Sequence, residues 1–260
     1  MSNNNPHSKM LILTTNDDGV NAPGIHRLCD YVSEYGDVYL VAPACAQSGM
    51  SAAITVNNQL TVSRHDDYGN AQVYSVTGTP VDCIKLALHC ITPRRPDLIL
   101  SGINHGSNSG TAVTYSGTMG AVLEGCMAGI PSVGFSLLHH SIKADFDLAR
   151  NHIKQIVENV IAGGLPQYTC LNVNIPAMVT PLGVRACRAA RGHWSEEYVR
   201  YFAPDGSPFY RLTGRFCNEE PEATDTDEYY LSQRYISVVP VSPDQTDYPA
   251  INAIARRLDR

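Results

Sequence analysis

The order of apolar and polar positions divides the chain into alternating short runs and helical periods. Met10 to Thr15 is a brief apolar run that reads as a buried strand, broken by Asn16-Asp17-Asp18-Gly19. Ile25, Leu28, Val32 and Tyr35 then recur at spacings of three and four, predicting a helix closed by Gly36. Val38 to Ala42 is a second strand, stopped by Pro43. Such a strand–loop–helix–strand unit has parallel strands.

The alternation continues. Thr79 and Pro80 open a helix with an apolar face of Val81, Ile84, Leu88 and Ile91. Asp97 to Ser101 is a strand, and a Gly/Asn/Ser-rich loop runs from Gly102 to Tyr115. A helix begins near Gly117 and ends near Gly129, and Ser132 to Leu137 is a strand. Phe146, Ala149, Ile153, Ile156 and Val160 mark a long helix closed by Gly163-Gly164, and Cys170 to Ile175 is a further strand. The fold class is therefore α/β, a doubly wound, mainly parallel, Rossmann-like sheet. Beyond it the texture changes. Residues 184–217 are β-prone and aromatic around a Pro204-Asp205-Gly206 turn, Asn218 to Glu228 reads as an acidic exposed loop, and Tyr235 to Val241 is a strand. We divide the chain into a loose tail (1–9), an α/β catalytic core (10–175) and a C-terminal extension with a β-hairpin or oligomerisation arm (176–260) that completes one domain.

Composition narrows the class. Hydrophobic residues make up 43% and charged residues 17% of 260, ordinary for a globular chain with a real core. No apolar run approaches the roughly 20 residues that span a bilayer, and Met1 to Lys9 has no signal-peptide character, so no membrane partner is expected. The eight cysteines form no C-x-x-C pair. Cys29, Cys83, Cys90 and Cys126 fall in apolar helical patterns and read as buried thiols of a cytoplasmic protein. The net charge of −6 argues against binding a nucleic-acid polymer, which needs a basic face. An acidic protein acting on an anion must concentrate positive charge locally, and a metal ion does so compactly.

Ligands of open parallel sheets bind at the carboxyl ends of the strands. Three polar segments fall there: Asn16-Asp17-Asp18-Gly19, Gln47-Ser48-Gly49 and Ser101-Gly102-Ile103-Asn104. Adjacent Asp residues in a straight strand diverge, so Asp17 and Asp18 share an ion only where the chain turns at Gly19. Taken alone, Asp-Asp-Gly reads equally well as a helix cap followed by a solvated turn. With Ser48 and Asn104 it makes an oxygen donor set suited to Mg²⁺ or Mn²⁺. The Gly-rich stretch ends in Ser116-Gly117-Thr118, which opens a helix whose N-terminal amides could take phosphate; an ordinary capped helix is the plainer reading. His105 could act as a general acid, though such a residue is more often part of a loop. Asp225-Thr226-Asp227 has the form of a phosphatase D-x-D, but no apolar strand precedes it, so it reads as a solvated loop. Neither a P-loop, nor G-x-G-x-x-G, nor G-x-S-x-G occurs.

Eight segments together resemble the SurE family, the survival-protein-E 5′/3′-nucleotidases. They are Thr15-Asn16-Asp17-Asp18-Gly19, Ala22-Pro23-Gly24-Ile25, Val41-Ala42-Pro43, Gln47-Ser48-Gly49, Gly78-Thr79-Pro80-Val81-Asp82-Cys83, Ser101 through Asn108 (SGINHGSN), Tyr115-Ser116-Gly117-Thr118 and Gly129-Ile130-Pro131-Ser132. They occur in the family's order over residues 10–136, with weaker echoes to about 241. The resemblance implies phosphomonoester hydrolysis of nucleoside 5′- and 3′-monophosphates, with short polyphosphate a further substrate of some members. It implies one divalent ion per subunit (Mg²⁺ or Mn²⁺) on Asp17, Asp18, Ser48 and Asn104. Phosphate contacts would fall at Asn108, Ser116, Gly117 and Thr118. A homodimer or homotetramer joined through the C-terminal arm is also implied. The family's aromatic stretch commonly ends in Trp; here Phe209-Tyr210-Arg211-Leu212 departs from it, which leaves base preference and arm geometry open.

On this reading Asp17 and Asp18 are also the catalytic pair, one of them accepting the proton of an attacking water, with an aspartyl-phosphate route as the competing scheme. A nucleotide-sensing module without turnover and a metal-dependent nuclease are the rival functions. The acidic balance disfavours the nuclease, because polymer binding rests on phosphate neutralisation.

Overall fold

A computed structural model describes residues 9–139, 141 and 144–258. The tail expected over 1–9 lies, but for Lys9, outside the described residues. The centre is a nine-stranded sheet. In chain order its members are β1 (Met10–Thr15), β2 (Gly36–Pro43), β3 (Val62–Arg64), β4 (Ala71–Val76), β5 (Leu98–His105), β6 (Ser132–Leu137), β7 (Cys170–Ile175), β8 (Val184–Ala186) and, later, β13 (Ile236–Val241). Their spatial order is β3-β4-β2-β1-β5-β6-β7-β13-β8. From β4 to β7 every neighbour is parallel. β3 and β13 join antiparallel to β4 and β7.

Helices cover both faces. α1 (Pro23–Val32) and α4 (Arg150–Gly163) lie on one side, packing Ile25, Leu28, Ile153 and Val157 against Ile12, Leu40, Leu100 and Phe135. On the other, α2 (Pro80–Leu86) brings Cys83 and Ile84 onto Leu13, Val41 and Ile99, and α3 (Gly117–Met127) buries Ala121 there. Double coverage is why β1, β2 and β5 read as continuous apolar runs rather than alternating ones. α2 starts where its sequence says. The Thr79 side chain accepts from the Asp82 N–H, the Asp82 carboxylate accepts from the Thr79 N–H, and Pro80 follows the cap.

Several expectations need correction. Cys90 is exposed, not buried, because the helix after α2 widens into a π-turn (Ala87–Ile91) that rotates it outward. The loop expected from Gly102 is shorter: β5 runs on to His105, and Gly110–Tyr115 forms a 3₁₀ turn. β3, β4 and a terminal helix α6 (Tyr248–Leu258) went unpredicted. Asp225-Thr226-Asp227 is not a solvated loop. Thr226 and Asp227 are fully buried, and Asp227 begins α5 (Asp227–Ser232).

The extension adds β8 and β13 to the main sheet. It also holds two nested antiparallel pairs, β9 (Gly192–Ser195) with β12 (Arg215–Asn218), and β10 (Tyr198–Phe202) with β11 (Pro208–Leu212). The β10–β11 hairpin is exposed along both strands. Among the described residues no helix is long and apolar enough to cross a membrane.

Candidate metal and phosphate site

Strand order reverses direction at the β1–β5 boundary: β2 and β4 extend one way from β1, while β5, β6 and β7 extend the other. The two crossovers leave to opposite sides and open a crevice there, the usual ligand position of such sheets. Asp17 and Asp18 follow β1, and Asn104 lies near the end of β5, so the sheet itself brings these segments together.

The turn after β1 is held by Asn16, which is fully buried. Its Oδ1 accepts from the Gly19 N–H at 3.2 Å and its Nδ2 donates to the Gly19 carbonyl at 3.0 Å. Gly19 sits at φ +101°, a conformation L-residues rarely adopt. Within this turn the two carboxylates are gripped by different elements. Asp17, 4% exposed, receives the Thr118 hydroxyl at 2.6 Å at the start of α3. Half-buried Asp18 receives the His105 N–H at 3.1 Å from the end of β5. Burial pushes the Asp17 carboxyl up to about 6, against the lowering effect of Thr118, and neighbouring Asp18 pushes it the same way.

The loop after β2 is tied down on both sides of Ser48. The Gln47 N–H donates to the Asp17 carbonyl at 2.7 Å, and the Ser51 N–H donates to the Tyr115 carbonyl at 3.1 Å. Ser48 is exposed between these tethers. Asn104 commits its Nδ2 to the Gly106 carbonyl at 3.0 Å, which leaves Oδ1 as the atom able to act as a ligand. Among the described residues no three His, Cys, Asp or Glu side chains cluster as a metal site. A cation here would therefore rest on two carboxylates completed by hydroxyl and amide oxygens, a hard donor set. Two close carboxylates, one of them buried, fit such an ion because their repulsion and desolvation are what it offsets.

The expected phosphate contacts are distributed unevenly. Ser116 caps α3, its Oγ accepting from the Met119 N–H at 3.1 Å, so its own proton remains available to a ligand. Gly117 packs directly on Asp17: a Cβ there would lie 2.8 Å from the Asp17 Cβ. The Thr118 hydroxyl is taken by Asp17, so this residue orients the carboxylate. Asn108 is buried and donates its Nδ2 to the Ser136 Oγ at 2.7 Å. His105 packs edge-on against Phe146 with ring centroids 5.2 Å apart, and among the described residues neither of its enclosed ring nitrogens has a partner.

The sequence reading missed the support beneath Asn108. Asn172 Nδ2 donates to the Asn108 carbonyl, and the Asn108 N–H donates to Asn174 Oδ1, each at 2.8 Å. Two amides at alternate positions of an otherwise apolar strand were the available signal, since period two places both on one face.

The chain is similar to known proteins over most of its length. The family model described as survival protein SurE matches residues 12–196. A protein named 5′-nucleotidase SurE from Christiangramia forsetii is 48% identical over 252 residues, 95% of this chain and 96% of that one. A protein of the same name from Phocaeicola vulgatus is 45% identical over 246 residues, again 95% and 96%. The crystal structure of the SurE protein from Aquifex aeolicus matches with a TM-score of 0.82 at 33% identity, covering 96% of this chain and 100% of that one.

Proposed function

The chain belongs to the SurE family, and from that premise we propose that it is a 5′-nucleotidase whose reaction is carried out at the β1–β5 crevice. Its substrate is a nucleoside monophosphate, hydrolysed to nucleoside and phosphate. The observation that carries the site assignment is the meeting of Asp17, Asp18 and the Asn104 segment where strand order reverses, under the N-terminus of α3.

In our reading Asp17, Asp18, Ser48 and Asn104 hold one divalent ion, Mg²⁺ or Mn²⁺. Bound there, such an ion supplies Lewis-acid withdrawal of charge from the phosphoryl group and acidifies a water nucleophile. The residues of the chain do the rest. Thr118 fixes Asp17 from α3 and the His105 amide fixes Asp18 from β5, so neither carboxylate reorganises during turnover. The Ser116 hydroxyl, the Gly117 amide and the second Nδ2 hydrogen of Asn108 donate to the non-bridging phosphate oxygens. One of the two Asp residues accepts the proton of the attacking water. 3′-monophosphates and short polyphosphate present the same terminal group and belong to the proposed substrate range.

We further propose that the β10–β11 hairpin joins subunits into a dimer or tetramer. Tyr198, Phe202, Tyr210 and Leu212 are 60–70% exposed on it, an apolar area a lone subunit leaves in water. We assign the protein to the cytoplasm on its eight free thiols.

The test is phosphate release from AMP with and without Mn²⁺. Activity should vanish with EDTA and return with excess metal. Asn104→Ala should raise the Mn²⁺ concentration for half-activity by about tenfold or more. Undiminished turnover in EDTA would overturn the metal assignment, and an unshifted Mn²⁺ requirement would remove Asn104 from the ligand set.

A further inference from the structure

We infer that Asp227 and Glu228, at the start of α5 in the C-terminal extension, are positioning residues that hold the Asn108 loop in register for phosphate. The inference rests on the reading of Asn108 as a phosphate contact and names what sets its position.

Asp227 is a fully buried carboxylate. Its Oδ2 accepts from the Gly110 N–H at 2.8 Å. Its Oδ1 accepts from the Ala190 and Glu228 N–H groups, each at 2.8 Å. One side chain thus joins three separate backbone positions. Among the described residues it has no cationic partner, and burying a carboxylate in that way is a costly means of stabilising a fold. Its three backbone donors offset that cost, and one of them lies in the loop that carries Asn108. Next to it, Glu228 Oε1 accepts the Ser109 hydroxyl proton, so two consecutive acidic residues grip two consecutive loop residues. On its other flank the loop is held by Asn172 and Asn174 of β7. Asn108 therefore sits between a sheet anchor and a helix anchor.

The clamp also joins the site to the extension's outer strands. Gly110 has φ +53°, and a Cβ there would lie 2.7 Å from the Phe216 ring of β12. The loop is fitted under that ring, so the extension supplies one wall of the phosphate loop as well as any arm.

The test separates positioning from stability. In Asp227→Asn one acceptor oxygen remains. It is best kept by the Ala190 and Glu228 donors, which turns the new NH₂ toward the Gly110 N–H and releases the loop. The expected result is a rise of about tenfold in both KM for AMP and the inhibition constant of inorganic phosphate. kcat should stay within about threefold, with the Mn²⁺ requirement unmoved. Should Asp227→Asn fail to fold, the Glu228 pair carries the test. Glu228→Ala should raise the phosphate inhibition constant about threefold or more, and Glu228→Gln should restore it, because the amide oxygen accepts the same hydroxyl proton. A fall in kcat with KM and phosphate inhibition unmoved, or no change in either constant, overturns the clamp. Asn108→Ala is measured beside them. If it weakens phosphate binding while Asp227→Asn and Glu228→Ala do not, the clamp falls alone. If those two weaken phosphate binding and Asn108→Ala does not, the Asn108 contact is withdrawn, and with it the positioning role that Asp227 and Glu228 would exert through it.

Discussion

Asp17→Asn should make the metal-stripped protein more heat-stable while abolishing turnover. Asp17 is 4% exposed, and burial with Asp18 alongside moves its carboxyl from 3.8 to about 6. A folded-state value above the unfolded one means that the native state holds the proton to higher pH. The penalty is absent below 3.8, grows as pH rises through about 6, and is complete above it. That shift corresponds to about 3 kcal/mol at neutral pH. A neutral Asn can still accept the Thr118 hydroxyl and avoids the penalty. For a chain of this size roughly 3 kcal/mol corresponds to a rise in Tm of about 6–12 °C. Calorimetry in EDTA at pH 7.5 should show the variant melting higher, and at pH 4 the gap should close. With Mn²⁺ at a hundred times its dissociation constant the native protein gains about 2.7 kcal/mol, which the variant largely forgoes, so the gap in Tm closes or reverses. A native protein that outlasts the variant in EDTA at pH 7.5, or a gap independent of pH, would refute the reasoning.

Two further outcomes follow from packing. Gly117→Ala places a Cβ 2.8 Å from the Asp17 Cβ, and displacing that carboxylate should lower kcat about a hundredfold with little change in far-UV circular dichroism; native-like turnover would show that the contact relaxes. Combining Tyr198→Ser, Tyr210→Ser and Leu212→Ser on one face of the β10–β11 hairpin should reduce the oligomer seen by light scattering, and an unchanged mass would place the subunit interface elsewhere.

The parallel core was legible in the sequence because each strand is covered on both faces and each helix on one. Burial therefore writes itself as short apolar runs and 3.6-residue periods, as in Ser132–Leu137 and Cys170–Ile175, whose bounds agree with the reading. Exposed or marginal pieces left no such trace. α6 buries none of its residues, and β3 is three exposed residues long. Asp225-Thr226-Asp227 misled for the opposite reason: a charged segment normally reports solvent, and nothing local reveals that the Gly110 and Ala190 amides wait to receive Asp227. The sequence alone determined which residues are the candidates for the chemistry proposed here, since Asp-Asp-Gly, SGIN and Ser-Gly-Thr are local patterns of side-chain type. Only the tertiary structure decided how they divide the work. Strand order sets the crevice between β1 and β5, and the approach of α3 turns Thr118 onto Asp17. These are matters of distance between segments about a hundred residues apart, and periodicity along a chain carries no information about separation in space.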